Sequence, residues 1–173
     1  MSNTSRPEDR AAISDVVIRY ATGLDRREWA LYATCFTDDC VFDFTSFSGG
    51  SPRVMSGAAW AANVRSLNGN FDATQHLSTN HVITFSTYGL GAGPSEATCV
   101  SEMHAQHFFE RTTLDSLGHS DVEPTWCTLG GHYTNQLRRT VVGWQIFHCR
   151  LDVRWRTGNM AIFPIARAMG DRG

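Results

Sequence analysis

The chain has 173 residues, of which 42% are hydrophobic and 18% charged, which is typical of one folded domain with its own core rather than of a disordered protein. The formal net charge of −2 gives no support to a general nucleic-acid-binding role. All 15 basic residues are arginine, so lysine Schiff-base chemistry and a phosphate-binding lysine are excluded.

The cysteine and hydropathy patterns indicate a reducing compartment and no membrane. The five cysteines are odd in number and contain no C-x-x-C pair, which favours free thiols over a disulfide framework or a zinc cluster. The N-terminal residues are polar, and no segment approaches the roughly 20 apolar residues of a membrane span. We therefore expect a cytoplasmic protein with neither a membrane nor a nucleic acid as its partner.

The first predicted element is a long amphipathic helix. The capping-box spacing of Ser5 and Glu8 indicates its start, and Gly23 is its expected end. Its apolar residues recur at helical spacing and form one stripe. These residues are Ile13, Val16, Val17, Tyr20 and Leu24.

Two shorter helices are predicted next. One contains residues 29–36, and Asp25 is positioned to cap it. The other covers residues 58–67 and ends at an Asn-Gly-Asn sequence. The connecting segments are a turn at residues 38–39, a short strand at 41–44 and a loop at 48–52.

From residue 74 onwards the pattern alternates, which predicts strands. One or two strands lie within residues 74–88, and longer ones at 96–111, 126–139 and 144–156. A flexible turn is expected at 89–94 and an extended loop at 112–125. Helices followed by a run of strands indicate an α+β fold. We expect the helices to pack against one curved antiparallel sheet and to leave a pocket at the open end of a cone.

Six segments resemble landmarks of the SnoaL-like branch of the NTF2-like superfamily. They are RYATGLDRREW (19–29), CFTDDCVF (35–42), TQHLSTN (74–80), GHYTN (131–135), GWQI (143–146) and WRTGN (155–159). The resemblance covers residues 8–160, with a flexible tail at 1–7 and a C-terminal extension at 161–173. It implies the NTF2-like cone, a fold that hosts many activities.

The resemblance also implies catalytic residues. Scytalone dehydratase, bile-acid 7α-dehydratase and hexachlorocyclohexane dehydrochlorinase share an Asp–His pair, and the matching positions here are Asp25 and His76. The dehydratases add a tyrosine near the end of the first helix, which matches Tyr20. A histidine is a base near neutral pH, a carboxylate fixes its tautomer, and a phenol donates a hydrogen bond. No metal or organic cofactor is needed for this chemistry.

Each of these three residues has a structural alternative. Asp25 lies three residues before Glu28 and suits a helix N-cap, and Tyr20 lies on the apolar stripe of the first helix. His76 on its own would be an ordinary structural histidine. Because five helical residues turn by about 140° relative to one another, Tyr20 and Asp25 are expected to meet one pocket only if the helix ends near Gly23.

Seven further residues are candidates for substrate binding, because they carry polar or aromatic groups on elements expected to line the pocket. They are His104, Asn80, Tyr133, Asn135, Arg154, Trp60 and Phe44. His104 shares a strand face with Glu102, and this face lines a polar pocket or faces solvent. Arg154 is a substrate anchor or part of a salt-bridged outer face. In a chain without lysine, any fixed positive charge in the pocket must come from an arginine.

The sequence therefore predicts a cofactor-independent lyase of the dehydratase type, acting on a small apolar alicyclic or polyketide-like molecule. An isomerase or polyketide cyclase on the same scaffold is the nearest alternative, and a non-catalytic binding or assembly subunit is another. The dehydrochlorinase has a lysine beside its Asp–His pair, so the missing lysine favours dehydration or isomerisation over halide elimination. A homo-oligomer, dimer or trimer, is expected because the family commonly forms one.

Overall fold

A computed structural model describes residues 7–89 and 93–170. Helices and strands follow one another in this order: α1 (Pro7–Asp25), α2 (Trp29–Ala33), β1 (Phe36–Asp43), α3 (Thr45–Ser48), β2 (Arg53–Met55), α4 (Gly57–Asn68), β3 (Ala73–Gly89), β4 (Gly93–Phe108), α5 (Arg111–Ser116), β5 (Trp126–Thr140), β6 (Gly143–Gly158) and α6 (Ile162–Ala168). The α+β prediction is confirmed. Of the predicted tail at 1–7, Pro7 begins α1, and the rest lies outside the described residues, as do the Ser5 cap and part of the turn at 89–94.

The six strands form one curved, unclosed sheet in the order β2-β1-β6-β5-β4-β3. All neighbouring pairs are antiparallel except β1 and β6, which run parallel. The expectation of a wholly antiparallel sheet is therefore wrong at this pair. Residues 38–39 lie within β1 and do not form the separate turn that was predicted. At this point of β1, between Phe36 and Val41, the register against β6 shifts. This irregularity leaves Asp38 and Asp39 exposed inside a strand.

The apolar stripe of α1 packs over the inner face of the sheet. Ile13, Val16, Val17, Tyr20 and Leu24 are all buried, as their helical spacing predicts. Each such side chain removed from water contributes about 1.5–3 kcal/mol. Together with the inner faces of β3 to β6, this stripe forms the core.

Helix α1 does not stop at Gly23 but continues to Asp25. A Cβ at residue 23 would lie 3.1 Å from the backbone nitrogen of Tyr32, so this glycine allows α1 and α2 to approach closely. The chain reverses later, at Arg27, whose φ is +58°. The added length of helix places Asp25 at the end of α1, where its carboxylate reaches β3.

Three short helices and one strand were not predicted: α3, α5, α6 and β2. Helices α5 and α6 lie in the predicted loop and C-terminal extension, whereas α3 and β2 lie at the borders of the loop predicted at 48–52. Helix α3 is held to β6 because the Ser46 hydroxyl donates to the Leu151 carbonyl at 2.6 Å and accepts from the Val153 N–H at 3.0 Å. Among the residues that the structure describes, no helix is long and apolar enough to cross a membrane.

Candidate active site

A cavity of about 490 Å³ lies between the helices and the inner face of the sheet. Its wall is rich in aromatic side chains, which come from α1, α2, β1, the residue after β1, α4 and β5. They include Tyr20, Tyr32, Phe42, Phe44, Trp60 and Tyr133. The Phe42 and Trp60 rings stack with their centroids 4.2 Å apart. Such a wall suits a mostly apolar, ring-containing ligand.

Asp25 and His76 form a hydrogen-bonded pair at the wall of this cavity. The Asp25 Oδ1 atom lies 2.7 Å from His76 Nδ1, and Asp25 Oδ2 accepts the backbone N–H of His76 at 2.6 Å. The Thr74 hydroxyl donates to Oδ1 at 2.9 Å. The end of α1 thus meets the start of β3 through one carboxylate that accepts three hydrogen bonds.

This carboxylate is ionised at neutral pH. Burial raises the pKa of Asp25, but the hydrogen bonds and charge of His76 together with the Thr74 hydroxyl outweigh burial, and the net effect lowers the pKa below 3.8. Asp25 does not cap α2, whose N-cap is Glu28 without a side-chain hydrogen bond. The carboxylate is therefore committed to orienting His76.

His76 lines the cavity while Asp25 lies behind it. Because Nδ1 faces Asp25, Nε2 is the ring nitrogen on the cavity side. A carboxylate on Nδ1 holds the proton there and leaves a lone pair on Nε2. The arrangement can remove a proton from a bound molecule.

A second histidine, His107, lies beside His76, and the sequence analysis missed it. The two ring centroids are 5.2 Å apart. His107 pairs with Thr74 in the β3–β4 register, and His76 lies two residues further along β3, so the two histidines are diagonal neighbours on the same face of the sheet. His107 Nε2 lies 3.1 Å from Asn68 Oδ1, while its buried Nδ1 has no partner among the described residues. The available signal was its strand face, which it shares with the buried Met103 and Ala105.

Replacing His107 with glutamine is expected to make stability less sensitive to acid. Burial, and then the nearby His76, lower the pKa of His107 well below 6.5. Below about pH 6.5 the unfolded chain binds a proton that the folded protein excludes, so stability falls as the pH falls, by at most about 1.4 kcal/mol per pH unit. Urea unfolding between pH 7 and pH 5 measures this slope.

The matched control for this substitution is His119→Gln, in the loop after α5. The His107→Gln variant should lose part of the acid slope, whereas the control should retain it. An unchanged slope in His107→Gln would contradict the lowered pKa of this histidine.

Two tyrosine hydroxyl groups meet across the cavity. The Tyr20 hydroxyl lies 3.2 Å from the Tyr133 hydroxyl, and the ring centroids are 5.2 Å apart. Burial raises the pKa of both phenols above the ordinary value of 10. They remain protonated and can donate hydrogen bonds to an oxygen of a bound molecule. A third phenol, Tyr32, accepts a hydrogen bond from Trp60 Nε1 at 2.9 Å.

The geometry sorts the predicted substrate-binding residues into two groups. Trp60, Phe44 and Tyr133 line the cavity. The other four do not: Asn135 is buried without lining it, and Asn80, His104 and Arg154 are exposed.

The physical reason is strand alternation together with one irregularity. His104 and Arg154 lie on strand positions that face away from the core, and the His104 ring packs near Trp155, with centroids 5.9 Å apart. Asn80 has a φ of +55° at a shift in the β3 register. The prediction that Asn80, His104, Asn135 and Arg154 bind substrate is therefore withdrawn, since none of them lines the cavity.

Tyr20 and Asp25 do not both have to reach the cavity, because His76 lies between Asp25 and the cavity. Helix α1 extends past Gly23, so the two side chains point in different directions. Tyr20 lines the cavity directly, whereas Asp25 contacts His76, which lines it. Among the described residues, no group of three or more histidine, cysteine, aspartate or glutamate side chains is arranged to hold a metal ion.

The sequence profile of the SnoaL-like domain matches residues 5–150, most of the chain. The chain belongs to the SnoaL-like domain family. This SnoaL-like chain has no match among curated proteins.

Solved structures resemble this SnoaL-like protein over nearly its whole length. A protein from Kribbella flavida is 27% identical, with a TM-score of 0.76, over 88% of this chain and 95% of that one. A protein from Novosphingobium aromaticivorans named as an aromatic ring hydroxylase is 23% identical, with a TM-score of 0.71, over 92% and 99%. A second from that organism, named as a scytalone dehydratase, is 19% identical, with a TM-score of 0.67, over 87% of both chains. The similarity to the last two proteins, both less than 25% identical, shows that they have the same fold as this chain.

Proposed function

We propose that the protein is a cofactor-independent lyase of the dehydratase type, with a small alicyclic or polyketide-like molecule as its substrate. The observation that carries the proposal is the Asp25–His76 pair at 2.7 Å on the wall of an aromatic cavity. A structural relative is named as a dehydratase, which is consistent with this activity. A subunit that serves only in protein assembly would need neither the paired histidine nor the open cavity.

The proposed reaction begins with proton removal by His76. Its Nε2 takes a proton from a carbon next to a carbonyl group of the substrate, and the electron pair of the broken C–H bond moves into an enolate. Asp25 stabilises the imidazolium that forms. In the second step the enolate expels the β-hydroxyl group, which takes the proton from His76 and leaves as water. The histidine is neutral again at the end, so the proton balance closes.

The tyrosines are proposed to stabilise the enolate oxygen. Because burial keeps the Tyr20 and Tyr133 phenols protonated, they suit hydrogen-bond donation better than full proton transfer. A carbonyl oxygen near their hydroxyl groups would gain a shorter, stronger hydrogen bond as negative charge develops. His107 places a neutral imidazole beside the base, whereas a charged one there would oppose protonation of His76.

A panel of small β-hydroxy ketones and β-hydroxy esters, incubated with the purified protein and followed by mass spectrometry, tests the proposal. A dehydratase yields a product lighter by one water. An isomerase or cyclase that returns the proton yields a product of unchanged mass, which would replace the dehydratase proposal with the isomerase alternative. If no member of the panel is converted, the lyase proposal for these classes fails.

Phenylalanine at either position of the tyrosine pair is expected to lower kcat by about 10- to 100-fold, because one donor to the developing oxyanion is lost. Steady-state kinetics of Tyr20→Phe and Tyr133→Phe measure the effect. Tyr32→Phe is the matched control. Its hydroxyl accepts from Trp60, so the loss should reduce stability more than kcat. Equal kcat in the wild-type protein and both variants would remove the tyrosines from the mechanism.

The compartment, the domain boundaries and the dimeric or trimeric state stay predictions. Sedimentation of the purified protein decides the last of these.

A further inference from the structure

Two arginines stand at the rim of the cavity, and the sequence analysis selected neither. Arg53 lies on β2 and Arg167 on α6, and both line the cavity with exposed side chains. They come from distant parts of the chain: Arg53 directly follows the loop predicted at 48–52, and Arg167 lies in the predicted C-terminal extension. The cavity therefore has fixed positive charge where it opens to solvent.

Within the described part of the chain, these charges are not offset by an acidic side chain on the cavity wall. Among the described residues that line it there is no aspartate or glutamate. The carboxylate of the site, Asp25, lies behind His76 and is already paired with it. Among the residues that the structure describes, neither Arg53 nor Arg167 forms an ion pair. The hydroxyl and amide side chains of the wall, among them Thr45, Ser48, Asn63 and Asn68, carry no charge.

The charges differ from those on the rest of the protein, since the chain as a whole has a net charge of −2. Four arginines elsewhere form ion pairs with carboxylates: Arg111, Arg138, Arg139 and Arg150. Positive charge at the mouth of a low-dielectric cavity attracts anions and repels cations. The planar guanidinium group matches a carboxylate in particular, because its N–H donors lie in one plane.

We propose that the substrate carries a carboxylate, which binds at the rim of the cavity to Arg53 and Arg167 while its ring system lies against the aromatic wall. The Arg53 guanidinium lies 5.8 Å from the centroid of the Trp60 ring, so the anion site borders the stacked Phe42–Trp60 pair. A ligand anchored there extends into the cavity towards His76. This inference rests on the proposed function, since it defines the substrate class of the same site.

Binding of a matched ligand pair tests the inference without any turnover. The probes are 2-naphthoate and its neutral analogue 2-naphthamide, which have nearly the same shape. Isothermal titration calorimetry of the wild-type protein should show that 2-naphthoate binds about 10-fold more tightly than 2-naphthamide, because hydrogen bonds to a charged group are stronger than those to a neutral one. The Arg53→Gln/Arg167→Gln double variant should bind both probes equally. Added salt should reduce the preference in the wild-type protein, because the rim is exposed to solvent.

The control is Arg154→Gln, an equal change of charge on an exposed arginine away from the cavity. It should keep the preference for the carboxylate. His76→Ala should also keep it, so a catalytically inactive protein with an intact rim separates this inference from the proposed reaction. Equal affinity for both probes in the wild-type protein, no binding of either, or a preference that survives in the double variant would overturn the proposal.

Discussion

The His76→Ala variant is expected to lose turnover by a factor of roughly one thousand in kcat, because His76 is the group proposed to take the substrate proton. His76 is the only histidine on the cavity wall, within the described residues, that is paired with a carboxylate. His107, its neighbour, has a pKa held well below 6.5 by burial and by His76, so it is a weaker base. The measurement is kcat on whichever compound of the dehydration panel is converted.

A loss of activity in His76→Ala has to be separated from a loss of structure. The His76 side chain is only 7% exposed, so its removal leaves a small void and an Asp25 carboxylate without its main partner. Circular dichroism and the unfolding midpoint show whether the variant folds. Added imidazole should restore part of the rate, because it can enter the void and act as the base.

His119→Gln provides the matched control, since it replaces a histidine away from the cavity. It should keep wild-type kcat. If His76→Ala folds and still converts substrate at more than a tenth of the wild-type rate, His76 is not the base and the proposed mechanism is wrong.

The proposed catalytic pair could be predicted from the sequence, whereas the residues that surround it could not. Asp25 and His76 occupy short segments that resemble family landmarks, and hydrogen-bond geometry then brings them together. His107 required the face of β4 to be known. Alternation shows that His104 and His107 point to opposite sides, but the inner side is fixed only by packing against the helices.

The two arginines of the cavity could not be predicted from the sequence, because they lie in segments without a clear helical or strand periodicity. Arg53 lies on a strand of three residues, and Arg167 on a helix of seven. Elements this short depend on tertiary contacts rather than on their own periodicity. Gly23 shows the converse case. A glycine near a helix end suggested a stop, yet the close approach of Tyr32 is what requires it.

Asparagine in place of Asp25 is expected to lower kcat by about 10³- to 10⁴-fold while the protein stays folded. The wild-type carboxylate accepts from three donors, namely His76 Nδ1, the His76 backbone N–H and the Thr74 hydroxyl. An amide offers one accepting oxygen and one donating NH₂ group. Asparagine therefore cannot satisfy all three donors in the observed arrangement.

Both orientations of the amide that Asp25→Asn introduces disable the base. If the amide oxygen faces the backbone N–H, its NH₂ group faces His76 Nδ1, which must then accept a hydrogen bond. The imidazole proton moves to Nε2, and the lone pair on the cavity side is lost. If the amide is flipped, its NH₂ group opposes the His76 backbone N–H, where the wild-type oxygen lies 2.6 Å from the nitrogen. Two donors at that distance repel, and the ring loses its support.

Thr74→Val separates this tautomer effect from a general loss of hydrogen bonding. Valine removes one donor to Asp25 but keeps the carboxylate, so kcat should fall only by about 10-fold, as the loss of a single hydrogen bond implies. Steady-state kinetics of the two variants, side by side, decide between the alternatives. Similar losses in Asp25→Asn and Thr74→Val would mean that Asp25 matters for local structure alone.

Acid unfolding gives an independent check on the same carboxylate. Because the pKa of Asp25 in the folded protein is lowered from 3.8, its contribution to stability is present above about pH 4 and is lost as the pH falls through the lower folded value. Asp25→Asn has no such titration, so its stability should fall less between pH 4 and pH 2 than that of the wild-type protein. Identical acid curves would mean that His76 does not hold the Asp25 carboxylate ionised, and the proposed role of Asp25 in orienting that ring would lose its electrostatic support.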